Sequence, residues 1–168
     1  MLYLEKLAKK DPEKIIYLDE SGIDDNETYP YGYSVKGARI YDVKNAYRNK
    51  RLSIISALHK KTLMAPFVFE GYCDSKLFAA YIEKILIPEL SPGYIVIMDN
   101  ASFHKNKQIQ VMLENAGCEL LYLPPYSPDF NPIEHYWAKI KHSIRMHLPM
   151  LNKDLYEAAK RAFLIGNA

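Results

Sequence analysis

Two unbroken apolar runs dominate the pattern along the chain, Ile15-Ile16-Tyr17-Leu18 and Tyr94-Ile95-Val96-Ile97-Met98, and each is followed at once by an aspartate, Asp19 or Asp99. Runs that do not alternate with polar residues fit strands buried on both faces, as in a sheet covered by helices. The first strand is therefore expected from Lys14 to Glu20 and another from Tyr94 to Met98. Between them, Arg51 to Leu58 and Leu63 to Phe69 are β-rich runs separated by His59-Lys60-Lys61-Thr62, the pattern of an antiparallel hairpin with His59 beside the turn. Helical spacing then takes over. Asp74-Ser75 opens a helix carrying Leu77, Phe78, Tyr81, Ile82, Ile85 and Leu86, with Pro88 near its end. A second helix is expected from about Lys105 to Asn115, with Ile109, Met112, Leu113 and Ala116 on one side and Gly117 as its stop. Glu119 to Leu123 reads as a strand. Ile133, Tyr136, Trp137, Ile140 and Ile144 mark a long helix stopped by Leu148-Pro149, and a last helix starts near Asn152. At the start, residues 2–10 suggest a short amphipathic helix closed by Asp11-Pro12. From Ile23 to Asn49 the signals are weak, with short strands suggested near Tyr33–Val35 and Ala38–Tyr41.

Strand, hairpin, helix, strand, helix, strand, helix is the order of an α/β sheet with parallel strands joined by helical crossovers and an antiparallel edge. In open sheets of this kind, functional groups gather at the carboxyl ends of the strands. Asp19 and Asp99 are expected at two such ends.

A chain of 168 residues, 49% apolar and 25% charged, is enough for one buried core without a metal or disulfide staple. The net charge of +2 identifies no partner, but its distribution is uneven. Lys44, Arg48, Lys50 and Arg51 cluster in one stretch, and Lys139, Lys141, His142, Arg145 and His147 follow Glu134. Such runs are either solvated faces or, beside an acidic metal site, a surface for a phosphate backbone. Tyr29, Tyr31, Tyr33, Tyr41 and Tyr47 offer either half-buried sheet packing or a base-stacking surface. Cys73 and Cys118 form no paired motif and read as reduced thiols in a cytoplasmic protein, which speaks against zinc. Neither a signal peptide nor a run long enough to span a membrane is visible.

Pro124, Pro125, Pro128 and Pro132 stiffen the approach to Asn131-Pro132-Ile133-Glu134, where helix-start signals coincide: Asn131 at the N-cap, Pro132 at the first helical position and Glu134 three residues after the cap. Asn131 and Glu134 also match a capping box, in which Glu134 would serve only the helix end. Two further acids at strand ends change its meaning. Three ionised carboxylates gathered together would repel by about 4 kcal/mol per pair at 4 Å in a dielectric near 20. Compensation comes from raised pKa values or bound divalent cations, and an all-oxygen set favours Mg²⁺ or Mn²⁺. A pair of such ions suits phosphodiester chemistry.

Asp19 in Tyr-Leu-Asp-Glu-Ser, Asp99 in Ile-Val-Ile-Met-Asp-Asn-Ala-Ser-Phe-His, and Glu134 in Leu-Pro-Pro-Tyr-Ser-Pro-Asp-Phe-Asn-Pro-Ile-Glu-His-Tyr-Trp resemble the three signature segments of the DDE transposases. The separation of Asp99 from Glu134, spanned by residues 100–133, and the Trp three residues after the Glu are similar to the bacterial insertion-sequence branch of the mariner superfamily. The resemblance implies a ribonuclease H-like mixed sheet over residues 14–168, preceded by a helical extension at 1–13. It further implies DNA strand cleavage and strand transfer with Asp19, Asp99 and Glu134 as catalytic metal ligands for two Mg²⁺ ions, Mn²⁺ substituting. Asn100 and His104 match the second segment, and with Lys139 and Lys141 they are candidates for supporting the metal ligands or touching DNA. His104 equally fits a helix-flanking role. Trp137 reads as packing that holds its helix on the sheet.

The implied partners are DNA, as transposon ends and target, with a homodimer forming on that DNA. Relatives carry helix-turn-helix modules ahead of the catalytic domain, whereas 18 residues precede Asp19 here, so a catalytic fragment is expected, with a separately encoded helix-turn-helix subunit as one source of specificity. Two other readings compete: a related metal nuclease that hydrolyses without joining, and an inactive remnant that folds and binds DNA.

Overall fold

Strand β1 runs from Ile15 to Asp24, longer than its apolar run alone would support. The computed structural model describes residues 2–24, 51–100, 106–125, 127–151 and 154–166. Within them β1 is central to a five-stranded sheet of order β3-β2-β1-β4-β5. Its parallel neighbour β4, Ile95–Met98, pairs from Ile15↔Ile95 to Leu18↔Met98. β5, Glu119–Tyr122, lies parallel on the far side of β4. On its other edge β1 pairs antiparallel with β2, Arg51–His59, from Ile16↔His59 to Asp24↔Arg51. That pairing extends the strand. Asp19 therefore sits inside β1 rather than closing it, because β2 goes on supplying hydrogen bonds to Glu20-Ser21-Gly22 after β4 has ended.

β2 and β3, Thr62–Glu70, form the expected hairpin. Its tight turn uses Lys60 at φ 58°. Near its middle the register shifts, so that Ile55 pairs with Phe67 while Ala57 pairs with Met64. Ser56 thus faces the extra chain at Ala65-Pro66, where Ala65 has φ 50° and Pro66 needs no ladder partner. Side chains hold this bulge. The Ala65 amide donates to Glu89 Oε2 at 3.1 Å, Tyr81 Oη donates to the Ala65 carbonyl at 2.8 Å, and Ser56 Oγ donates to the Met64 carbonyl at 2.8 Å.

Helices cover both faces. Helix α1 is Leu2–Ala8, α2 is Ser75–Tyr81, α3 is Lys107–Asn115, α4 is Ile133–His147 and α5 is Leu155–Gly166. α2 starts where Asp74 accepts the Leu77 amide at 2.8 Å, and it continues through a π-helical turn, Ile82–Leu86, into a 3-10 turn, Ile87–Glu89. α3 starts at Asn106, which accepts the Gln108 amide, and stops where Gly117 at φ 74° lets the Cys118 amide reach the Leu113 carbonyl. The last helix starts later than its sequence signals suggest, with Asp154 Oδ1 accepting the amides of Tyr156 and Glu157.

Alternation along the strands divides the core. Ile16, Leu18, Ile55, Ala57, Val96 and Met98 meet α2 and α3. On the opposite face Ile23, Leu52, Ile54 and Leu58 pack on α4 and α5, while Ile15, Ile95 and Ile97 join Tyr3 and Leu7 of α1. Both cysteines are free, Cys118 buried and Cys73 half-buried. Among the described residues no helix is long and apolar enough to cross a membrane.

Candidate active site

Asp19 falls on the β1 face that carries Ile15, Tyr17 and Ile23, the side of α4, and directly opposite it on β2 lies the fully buried Ser56. The parallel register ends at Leu18↔Met98, so Asp99 leaves β4 at the level of Asp19 and, by alternation, on the face of Ile97. Glu134 comes from the first turn of α4 and is exposed. Trp137 follows it by one turn, on the same side of the helix.

Asp19 is only 9% exposed. Burial pushes its carboxyl up to about 7, and the negative charges of Glu134 and Asp99 act in the same direction. Hydrogen bonds from the Glu20 amide and the Trp137 indole oppose that rise. The indole Nε1–H donates to Asp19 Oδ2 at 3.1 Å across 118 positions of sequence. Trp137 itself is 2% exposed and belongs to the apolar cluster that α4 and α5 form with β2. The packing role expected of it holds, and the indole's polar contact adds a second one. Its spacing from Glu134 was the visible signal: a tryptophan one turn after the acid shares that acid's side of the helix.

Glu134 and Asp99 thus both act electrostatically on the Asp19 carboxylate. The three acids are not drawn into a ready-made cage: among the described residues no three His, Cys, Asp or Glu side chains stand close enough to hold a metal ion. As a donor set the carboxylates fit a hard divalent cation, and a counter-charge would relieve the pressure on Asp19.

Asn131 departs from the sequence expectation. α4 begins one residue later, with Pro132 in the capping place, and the Glu134 amide bonds to the Asn131 backbone carbonyl at 3.2 Å, not to its side chain. No capping box forms. The Asn131 side chain is buried instead, its Oδ1 without a hydrogen-bond partner.

Among the remaining candidates, Asn100 is half-buried beside Asp99. Lys141 lies two turns after Glu134, nearly above it, whereas Lys139 is turned about 140° away on a helix of 3.6 residues per turn. Lys139 lies over the Tyr136 ring, 5.3 Å from its centre, and is not brought to the acids. His59 is half-buried at the end of β2 and more than a turn-flanking residue: its Nε2 lies 2.8 Å from the Glu13 carbonyl and its ring packs near Tyr94. His104, the tyrosines at 29–47 with the short strands expected there, and Lys44, Arg48 and Lys50 lie outside the described residues.

Comparison with known proteins gives this geometry its setting. Over 132 residues the chain is 26% identical to the insertion element IS630 uncharacterized 39 kDa protein of Shigella sonnei, which takes in 77% of this chain and 38% of that protein. The chain therefore spans well under half of that relative's length. Among solved structures, the Mos1 strand transfer complex matches 99% of this chain and 59% of its own with a TM-score of 0.68 at 16% identity. The mariner Mos1 paired end complex with Mg matches 99% and 60% with a TM-score of 0.67 at 18% identity. At such identities the structural likeness establishes the fold, which is that of the ribonuclease H-like transposase domains. The model of the DDE superfamily endonucleases matches residues 14–155, most of the chain, and the chain belongs to that family.

Proposed function

We propose that residues 14–168 are the catalytic unit of a transposase that cuts DNA and joins the cut strand to a target, with Asp19, Asp99 and Glu134 holding two divalent cations, Mg²⁺ or Mn²⁺. The observation that carries this proposal is the pressure that Glu134 and Asp99 put on the buried Asp19 carboxylate, three acids from three separate elements acting at one place. Family membership supports the reaction class, since its members are endonucleases. The Mos1 likenesses add that a protein of this fold has been seen in a strand transfer complex and with Mg.

Bound at the acids, the cations would activate the attacking hydroxyl and stabilise the leaving oxygen of the phosphodiester. The chain's own residues do the rest. Parallel pairing of β1 with β4 keeps Asp19 and Asp99 level, and α4 presents Glu134 from a packed helix. Trp137 and its apolar neighbours keep water from the inner side of Asp19. With its carboxyl pushed up to about 7, Asp19 is partly protonated at neutral pH, and a bound cation would favour its ionised form. Lys141 is suited to a DNA phosphate beside Glu134. Homodimer formation on DNA and a separate helix-turn-helix subunit belong to the same proposal.

The test is a labelled DNA duplex incubated with the chain and Mn²⁺ or Mg²⁺, with products resolved by length. Metal-dependent nicks and joined products that vanish in Glu134→Ala are expected. Nicks without joined products would reduce the activity to hydrolysis, and equal products from Glu134→Ala would overturn the assignment.

A further inference from the structure

We infer that Trp137 is a positioning residue for the proposed metal site: its indole N–H fixes the orientation of the Asp19 carboxylate, so that α4 sets the geometry of two ligands, Glu134 directly and Asp19 through the indole. The inference rests on the metal-binding proposal above. Its basis is the 3.1 Å bond from Nε1 to Oδ2, made by a ring that is 2% exposed. A buried indole N–H needs some acceptor, and a backbone carbonyl or a hydroxyl would satisfy it without burying a charge. Here the acceptor is a buried carboxylate with two acidic neighbours, a costly choice if the indole's satisfaction were all that mattered.

The surroundings favour control of orientation. Burial at 2% exposure in the apolar cluster that α4 and α5 form with β2 leaves the ring little freedom, so the direction of its N–H is set by the core. This donor, held by the helix, restrains rotation about the Asp19 Cβ–Cγ bond. The Glu20 backbone favours the same ionised form of the carboxylate. Ser56 stands directly across from Asp19 at the β2–β3 bulge, with its hydroxyl turned to the Met64 carbonyl, so it is not the group that orients the carboxylate. Donors that orient a metal-ligating side chain typically govern metal affinity by 10–100-fold.

The sole tryptophan makes the inference testable without any DNA reaction. Mn²⁺ affinity is measured by electron paramagnetic resonance of the free ion for the parent, Trp137→Phe and Asp19→Asn. Trp137→Phe keeps a packed ring and loses only the donor side. The expected result is about 10-fold or greater weakening in Trp137→Phe, with larger weakening in Asp19→Asn. Equal affinity in Trp137→Phe and the parent would overturn the positioning role while leaving the metal site standing. No binding by the parent would overturn the metal proposal and this inference with it. Should Trp137→Phe fail to fold, the single indole ¹⁵N–¹H resonance of the parent decides. It is expected to move during Mg²⁺ titration with the same midpoint as binding, and an indole resonance unmoved at saturating Mg²⁺ would overturn the inference.

Discussion

Strand β1 supplies both faces of the sheet, and the two faces are built differently. Toward α2 and α3 it offers Ile16 and Leu18, which meet Val96, Met98, Phe78 and Ile82 in an apolar cluster. Toward α4 it offers Tyr17 and Ile23 with Asp19 between them, and an indole N–H reaches that acid from the helix. One face gains stability from every residue it buries. The other gives some of that stability up, because a carboxylate desolvated beside two like charges prefers to stay protonated. A fold that keeps such a group in its interior uses the apolar face to support the strained one, and the parts most important to stability and to chemistry are separated by the thickness of the sheet.

The largest effect that should expose this division is on the apolar face. Phe78→Ala removes a fully buried ring and is expected to cost about 3–5 kcal/mol, read from urea unfolding, with Mn²⁺ affinity of the folded protein unchanged. A large loss of affinity in that variant would mean that the two faces are coupled.

Asp19→Asn should act in the opposite direction. Because the folded carboxyl is pushed up to about 7 from an ordinary value of 3.8, the folded state holds the proton more tightly than the unfolded chain. Stability from this group is full below the ordinary value and is lost as pH rises through about 7. Without metal, the parent should lose on the order of 1–3 kcal/mol between pH 5 and 8 relative to Asp19→Asn, allowing for relaxation of the site. Urea midpoints for the two proteins across that range check it. Parallel pH profiles would mean that Asp19 is less desolvated than its burial implies.

The smallest effects belong to the solvent side of α4. Lys141→Ala and Lys139→Ala should each change stability by no more than about 0.5 kcal/mol. Lys141→Ala should lower the salt dependence of DNA binding by about one phosphate contact, and Lys139→Ala, turned away over Tyr136, should lower it less. Filter binding at several salt concentrations separates the two. Equal slopes would mean that DNA tracks the whole exposed side of the helix.

Much of the fold was legible in the sequence because its signals are local. The runs ending at Leu18 and Met98 give β1 and β4, and the spacing of Ile133, Trp137, Ile140 and Ile144 gives α4. The misses share a cause. Asp19 looks like the end of a strand until β2 pairs past it, and that partner is more than 30 residues away in sequence. The shift of the α4 start past Asn131 follows from burial of that side chain, which removes it from the capping place. The bulge at Ala65-Pro66 depends on Tyr81 and Glu89, and the indole bond on Trp137 meeting Asp19 on the α4 face of the sheet. The candidate acids could be named from sequence, whereas the group that orients one of them needed the tertiary contact.

Whether the three acids form one metal site is decided by thermal melting of the parent and Asp99→Asn with and without Mn²⁺. At roughly ten to a hundred times the dissociation constant, binding to the folded state alone adds about 1.4–2.7 kcal/mol. For a chain of this size that is an upward shift of about 3–10 °C. That shift is expected in the parent and its loss in Asp99→Asn; an equal shift in both proteins, or none in the parent, would rule out a shared site.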